Sequence, residues 1–128
     1  MAYFGKEFKF EKDENIEELV KTLDLSAEQQ AGFVNYKPSQ KIEKNGDEYV
    51  LTIGPKVVKF SAGVEFEEKI GDNVSKSVIQ VDGDVFNQVQ NFGNGYVFNI
   101  KREFSDDALV LSISHSKWDG VGRRHYKP

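Results

Sequence analysis

An arginine interrupts the apolar face of FNIKREF, the segment at residues 98–104. Alternate side chains of a β-strand point to the same side, so Arg102 shares its face with Ile100 and Phe104. A guanidinium that is removed from water costs several kcal/mol unless an anion or hydrogen-bond acceptors compensate it. The segment therefore predicts an interior position where a buried cation receives an anionic partner.

A second arginine with the same property lies in VGRRHYK, at residues 121–127. Arg124 and Tyr126 fall on one face of this strand, and Arg123, His125 and Lys127 fall on the other. Three strongly polar neighbours favour the outward direction for the second set, although the reverse orientation, with Arg124 and Tyr126 on a solvated basic edge, stays open. Arginine binds a carboxylate through parallel N–H donors, and a tyrosine hydroxyl adds a third hydrogen bond.

Other segments place apolar and amide side chains on one probable interior face. Such a mixture indicates a water-containing cavity that is apolar along most of its wall and cationic at one end, which suits an amphiphile with a carboxylate head. The alternative, in which the two arginines pair with an internal glutamate or with water, remains open. The predicted lining residues are Phe86, Gln88, Gln90, Phe98, Ile100, Phe104, Leu111 and Ile113.

Short strands joined by tight turns are expected to position these residues. Asn45-Gly46 is a strong two-residue hairpin signal, and further glycine and aspartate turns follow at short intervals. The pattern predicts an all-β fold, an antiparallel meander that closes into a barrel or folds as a sandwich. The ten expected strands are 3–10, 40–44, 48–53, 57–61, 64–70, 74–81, 85–91, 96–104, 109–115 and 121–127.

Two short helices are expected between the first and second strands. Ile16, Leu19, Val20 and Leu23 follow helical spacing, with Asp13 as a candidate N-cap. Ser26 and Gln29 have the spacing of a capping box for a second helix, which Pro38 prevents from continuing. A helix–turn–helix at this place would cover one open end of the barrel.

Composition limits the classes of function. The 128 residues suit one domain, 1–128, with a net charge of −4, no cysteine and no signal-peptide pattern at the start, so we expect a cytoplasmic protein that does not bind nucleic acid. His115 and His125 lie ten residues apart, which argues against a metal or acid–base pair. The acidic pairs at 67–68 and 106–107 are expected at turns or on the surface.

Several stretches together resemble the intracellular lipid-binding proteins, the cytosolic fatty-acid-binding family, and especially its insect members. The resemblance covers essentially the full chain. The matching stretches are ENIEEL at 14–19, KNGD at 44–47, GVEFEE at 63–68, KSVIQVDGD at 76–84, FNIKREF at 98–104 and WDGVGRRHYK at 118–127.

This resemblance implies a ten-stranded antiparallel β-barrel with a helix–turn–helix lid, and a non-enzymatic carrier of long-chain fatty acid without cofactor or metal. It implies that Arg124 and Tyr126 contact the carboxylate directly. Whether Arg102 contacts the carboxylate directly or through an ordered water stays open, since one bridging water costs at most about 2 kcal/mol. It also implies a monomer that contacts membranes transiently. The hairpin at 54–55 is shorter than in vertebrate relatives, so gating falls to the helix pair, with portal residues Leu19, Val20, Leu23 and Phe33.

Two other functions remain open at this point. One is retinoid binding within the same family. The other is a non-lipid interaction module that uses a basic patch of Lys117, Arg123, His125 and Lys127 on the last strand. No aromatic stacking platform accompanies that patch, so a solvated strand is the simpler interpretation.

Overall fold

Ten β-strands and two helices are present in the computed structural model, which describes residues 3–70, 73–93 and 95–128. Both helices lie between the first and second strands, as predicted. The elements in chain order are β1 (Lys9–Glu14), α1 (Ile16–Lys21), α2 (Ala27–Asn35), β2 (Gln40–Asn45), β3 (Glu48–Ile53), β4 (Lys56–Phe60), β5 (Phe66–Ile70), β6 (Asn73–Asp82), β7 (Val85–Asn91), β8 (Val97–Phe104), β9 (Leu109–His115) and β10 (Trp118–Lys127).

The strands form two antiparallel sheets. The larger sheet has the order β1-β10-β9-β8-β7-β6-β5, and the smaller has the order β2-β3-β4. A bridge between Phe8 and Gln40 joins the sheets along one side, where each backbone N–H donates to the other residue's carbonyl at 2.8 and 2.9 Å. The predicted all-β antiparallel barrel with its helical lid is confirmed.

On the other side of the barrel, side chains rather than a backbone ladder connect β4 with β5. Among the described residues these strands pair only with their hairpin partners, β3 and β6. Lys56 Nζ lies 2.6 Å from Glu68 Oε2 across this gap. Phe60 and Phe66 stack across it with ring centroids 6.2 Å apart. An ion pair and an aromatic contact therefore bridge the place where the sheets separate.

One end of the interior is filled by aromatic rings. Phe104 stacks on Tyr3 at 5.0 Å between centroids and meets Phe8 and Phe86 edge-on at 5.7 and 5.4 Å. Offset-stacked and edge-on pairs are the favoured arrangements of aromatic rings. The aromatic cluster comprises Tyr3, Phe8, Tyr49, Phe60, Phe86 and Phe104.

The lid rests on β10 at a glycine. Ile16, Leu19 and Val20 of α1 are buried. A Cβ atom at Gly122 would lie 3.0 Å from Ile16 Cδ1 and 3.4 Å from Leu19 Cδ2, so a larger residue there would force these helix side chains to shift. Neither helix has the length and apolar character needed to cross a bilayer.

Most strand boundaries lie within one or two residues of the predictions, and the larger differences fall at the two ends of the chain. The first strand begins at Lys9 and not at residue 3, and it continues to Glu14. Asp13 is therefore a strand residue, and the predicted N-cap is wrong: Asn15 precedes α1 with φ 60°, a left-handed conformation that asparagine tolerates better than most residues. Trp118, expected in a turn, begins β10.

The second helix begins as predicted. Ser26 Oγ accepts a hydrogen bond from the backbone N–H of Gln29 at 3.1 Å, and Gln29 Oε1 accepts one from the backbone N–H of Ser26 at 3.0 Å. Both halves of the capping box are present. Local polar spacing was therefore sufficient to locate this helix start.

Candidate ligand-binding site

A cavity of about 410 Å³ lies between the two sheets and reaches the β4–β5 gap. Its volume lies within the usual range of small-molecule sites. A second cavity of about 330 Å³ lies beneath the turn between the helices and shares Phe33, Phe92 and Phe98 with the first. The larger of these two, called the larger cavity below, is lined by Phe33, Tyr36, Ile53, Lys56, Glu68, Lys69, Gln90, Phe92, Phe98, Ile100, Arg102 and Ile113.

The predicted lining residues divide between this cavity and the packed interior. Gln90, Phe98, Ile100 and Ile113 line the cavity. The other four are outside the lining set. Phe86 and Phe104 belong to the aromatic cluster, because their strands place them at the filled end of the barrel. Gln88 and Leu111 are buried, and Gln88 forms part of a polar network.

The predicted portal residues also divide. Leu23 and Phe33 line the cavity beneath the lid. Leu19 and Val20 are instead core residues, 0% and 1% exposed, because the face of α1 that carries them packs on the sheet. The apolar spacing of these two residues therefore marks the buried face of α1 and not a portal to the cavity.

Glu68 is the centre of the polar network, although the acidic pair at 67–68 was expected at a turn or on the surface. Its side chain is 6% exposed. Oε1 accepts hydrogen bonds from Gln88 Nε2 at 2.9 Å, Gln90 Nε2 at 3.0 Å and Ser77 Oγ at 3.4 Å. Oε2 accepts one from Lys56 Nζ at 2.6 Å. A carboxylate with these donors is well compensated in the interior.

The charge state of Glu68 follows from these contacts. Burial alone would raise its pKa, but the hydrogen bond and charge of Lys56, the Gln90 amide and the charge of Arg102 bring the pKa below the ordinary value. Glu68 is therefore an anion at neutral pH.

Arg102 is buried and lines the cavity, as the alternation of β8 predicted. Its Nε–H donates to Gln40 Oε1 at 3.1 Å and its Nη1 donates to Gln88 Oε1 at 2.8 Å. Its Nη2 has no hydrogen-bond partner among the described residues. Burial lowers its pKa to about 10, against the charge of Glu68, which raises it. Arg102 is thus a cation at neutral pH with one nitrogen available to a ligand.

Arg124 is also buried, but its guanidinium is already engaged. Nη1 donates to the carbonyl of Tyr36 at 2.6 Å, and Nη2 donates to the carbonyls of Phe33 and Val34 at 3.0 and 3.4 Å. These carbonyls belong to the C-terminal end of α2, which has no basic residue in its own last turn. Arg124 therefore supplies the positive charge that a helix C-terminus favours.

Asp13 is the counter-ion of Arg124. Its Oδ1 lies 3.1 Å from Arg124 Nε, and both atoms are buried without a hydrogen-bond partner, so the pair is held by charge at an angle too poor for a hydrogen bond. Burial raises the pKa of Asp13 despite the opposing charge of Arg124. An internal acid thus accompanies each arginine, which the sequence had left open as an alternative.

Tyr126 lies near both Arg102 and Arg124. Its hydroxyl oxygen accepts a hydrogen bond from Gln40 Nε2 at 3.4 Å, and Gln40 also accepts from Arg102. Burial raises the pKa of Tyr126, and the charges of Arg124 and Arg102 offset this only partly. The phenol stays protonated at neutral pH, so its O–H can donate to a carboxylate.

The interior charges do not balance. Lys56, Arg102 and Arg124 carry positive charge at the described interior, whereas Asp13 and Glu68 carry negative charge. Lys69 also borders the larger cavity, but it is exposed and screened by solvent. These five groups together carry one positive charge in excess, which a single monovalent anion would neutralise.

His115 takes part in hydrogen bonds near the end of α1 and not in a metal site or an acid–base pair. Thr22 Oγ1 lies 2.6 Å from both the Leu19 carbonyl and His115 Nε2, and His115 Nδ1 accepts the Lys117 backbone N–H at 3.2 Å. Since Thr22 donates to the carbonyl, His115 carries its proton on Nε2. No group of three metal-binding side chains occurs in the part of the chain that the structure describes.

Two residues of the basic patch, His125 and Lys127, contact acidic side chains of β1. Lys127 Nζ lies 2.6 Å from Glu11 Oε2, and His125 Nε2 lies 2.5 Å from Glu14 Oε1. Lys117 lies over the Tyr96 ring, 4.3 Å from its centroid. These contacts argue against the basic patch as a binding surface for nucleic acid or an anionic membrane.

Sequence reasoning missed Glu68, Lys56 and Asp13 as site residues. For Glu68 a signal was present, because it follows Phe66 at the inward spacing of β5 in the same way that Arg102 follows Ile100 in β8. Lys56 likewise precedes the buried Val58 and Phe60 at that spacing. Asp13 gave no comparable signal, since its partner lies on the last strand.

Comparison with known proteins agrees with this architecture, although no protein-family model matches the chain. Fatty acid-binding protein 2 of Manduca sexta is 42% identical over 132 aligned residues, covering 99% of this chain and 99% of the relative. Fatty acid-binding protein 1 of the same moth is 39% identical with the same coverage.

Solved structures give the same result. A fatty-acid-binding protein isolated from Manduca sexta superposes with a TM-score of 0.90 at 41% identity, over 98% of this chain and 99% of the other. The fatty acid-binding protein from brain tissue of Drosophila melanogaster gives 0.83 at 30% identity, over 98% and 99%. With its helical lid, its two sheets and its full-length similarity to these relatives, the chain belongs to the family of fatty-acid-binding proteins.

Proposed function

We propose that this protein is an intracellular, cytoplasmic carrier that binds a long-chain fatty acid in the larger cavity. The carboxylate is held at the cationic part of the interior by Arg102, Arg124 and Tyr126, and the acyl chain lies along the apolar wall. The whole chain, 1–128, acts as one lipid-binding domain. It works as a monomer, without cofactor, metal or catalysis, and contacts membranes transiently when it exchanges its ligand.

The observation that carries this proposal is the excess of one positive charge beside an apolar cavity. A fatty-acid anion supplies the missing negative charge, and its hydrocarbon chain suits the lining of phenylalanine and isoleucine. The two moth relatives support the same ligand class, because both are named as fatty acid-binding proteins. They do not favour the retinoid alternative.

The expected chain length follows from the hydrophobic effect. Burying roughly 14 methylenes contributes about 11 kcal/mol before costs. Lost motional freedom removes several kcal/mol of that. The remainder agrees with a dissociation constant between about 10 nM and a few μM. Short-chain acids bury too little surface to bind usefully.

Calorimetric titration of delipidated protein with oleate tests the function, with methyl oleate as the matched ligand that lacks the charge. We expect saturable binding of oleate at one or nearly one molecule per chain, and much weaker binding of the ester. Arg102→Leu should reduce this preference for the acid, because Arg102 is the cavity-lining arginine with an available nitrogen. Equal affinity of the native protein for acid and ester would refute the carboxylate site.

A further inference from the structure

Lys56 occupies an unusual place for a lysine. It is the first residue of β4, directly after the Gly54-Pro55 turn, and it shares the inward face with Val58 and Phe60. Its side chain is 36% exposed, so it lies at the rim of the cavity and not on the outer surface. Neighbouring Lys59, in contrast, is exposed on the opposite face of the strand.

Glu68 lies between two cations. Lys56 binds Oε2 directly at 2.6 Å. Arg102 acts on the same carboxylate by charge, through Gln88, which accepts from Arg102 Nη1 at 2.8 Å and donates to Glu68 Oε1 at 2.9 Å. One carboxylate therefore faces two positive charges and can neutralise only one of them, so the group of three carries a net charge of +1.

We propose that Lys56 is a positioning residue for ligand binding: by neutralising Glu68, it leaves the charge of Arg102 available to the fatty-acid carboxylate. This inference rests on the function proposed above. Without Lys56, Arg102 and Glu68 would form a neutral pair, and an incoming carboxylate would meet the repulsion of Glu68 with no compensating excess of positive charge.

Two features of the contact support this role. First, Lys56 is the partner of Glu68 Oε2 among the described residues, while Gln88, Gln90 and Ser77 all donate to Oε1. Glu68 thus keeps three donors and stays in place if Lys56 is removed. Second, the short hairpin brings the lysine to the β4–β5 gap within two residues of Gly54, whose left-handed φ of 57° makes the tight turn possible.

A series of charge-removing and charge-keeping variants, titrated with oleate and methyl oleate, tests the proposal. Lys56→Met should weaken oleate binding about tenfold, the scale expected when one partly screened charge near a carboxylate is lost. Methyl oleate binding should stay unchanged. In the double variant, Lys56→Met with Glu68→Gln, the excess of one positive charge returns, so oleate affinity should return to within about twofold of native. Lys56→Arg should bind oleate like the native protein.

The matched control is Lys59→Met, which changes the net charge of the protein equally but lies outside the cavity. Loss of oleate affinity there, equal to that of Lys56→Met, would reduce the effect to general charge and overturn the proposal. So would unchanged oleate affinity in Lys56→Met, equal weakening of acid and ester, or failure of Glu68→Gln to restore binding. The native protein is titrated with oleate and methyl oleate before any variant is compared. If it does not bind the acid more tightly than the ester, the proposed function itself fails.

Discussion

The aromatic cluster and the charged network lie in the same barrel but are built on different principles. In the cluster, Phe8, Phe86 and Phe104 are 0%, 2% and 4% exposed and meet in favoured ring geometries. In the network, Glu68 and Arg102 are also buried, yet Glu68 accepts hydrogen bonds from amide and ammonium groups and Arg102 donates to two amide oxygens. Burial alone therefore does not distinguish the packed part of the interior from the binding part.

The difference teaches where stability and binding should reside. Apolar packing contributes directly to the free energy of folding. A buried ion network contributes little net stability, because desolvation offsets its attraction, but it fixes where another charge can bind. We therefore expect substitutions in the cluster to change unfolding and substitutions in the network to change ligand affinity.

The largest expected effect is that of Phe104→Ala on stability. The variant should lose about 3–5 kcal/mol of unfolding free energy, because its ring contacts three other rings of the aromatic cluster. Urea unfolding measures this loss, with Phe104→Leu as a milder, volume-retaining control. Oleate affinity, measured where the variant is folded, should change little. A parallel loss of affinity would show that the cluster and the cavity are one unit.

The next effect is that of Arg124→Leu on binding. Oleate affinity should fall by about 2–4 kcal/mol, the range for truncating one partner of a buried charge pair, and methyl oleate should be affected much less. Calorimetry measures both. Arg123→Leu, on the outward face of the same strand, is the matched control and should bind normally.

Arg124→Leu should also destabilise the protein without ligand, because it leaves Asp13 buried without its counter-ion and removes three hydrogen bonds to α2. Adding Asp13→Asn should restore part of the stability but none of the affinity. Full recovery of oleate binding in the double variant would contradict the role of Arg124 at the carboxylate.

The smallest effect concerns His115, a buried polar residue outside both regions. Burial, and then the charge of Lys117, lowers its pKa in the folded protein. Below the ordinary pKa of about 6.5, the unfolded chain therefore binds the proton more readily, so stability should fall as pH drops through that value. Urea unfolding at pH 7.5 and 5.5 should show this fall, and His115→Gln should diminish it. An unchanged pH dependence in the variant would exclude His115 as its source.

Local pattern was sufficient for the all-β class and favoured the inward direction of the arginines, whereas the choice of a barrel over a sandwich came from the family resemblance. The alternation of residues in β8 and β10 predicted that Arg102, Arg124 and Tyr126 face the interior. The spacing of polar residues predicted the capping box at Ser26. Each of these inferences needs only residues within one strand or one helix turn.

The counter-ions were harder to predict, since they depend on which strands become neighbours. Asp13 was interpreted as a helix cap because its true partner, Arg124, is distant in sequence and reaches it only through the pairing of β1 with β10. Lys56 of β4 and Glu68 of β5 meet across the gap between the two sheets, where the two strands are not paired as a hairpin. At Glu68 the two adjacent acids suggest a surface position, whereas the inward spacing from Phe66 indicates the interior.

The pairing of β1 with β10 also has a consequence for how the protein is made. Phe10 lies opposite Tyr126 and Asp13 lies opposite Arg124, so the earliest strand has no sheet partner on that side until residues 123–127 have been synthesised. Such distant pairings slow folding, because a long loop must close before they form. Hairpins such as β2–β3 and β6–β7 can pair as soon as their two adjacent strands have been synthesised. The nascent chain therefore holds β1 without this sheet partner until the last strand has been made, and during that time the first strand is open to chaperone capture or misassembly.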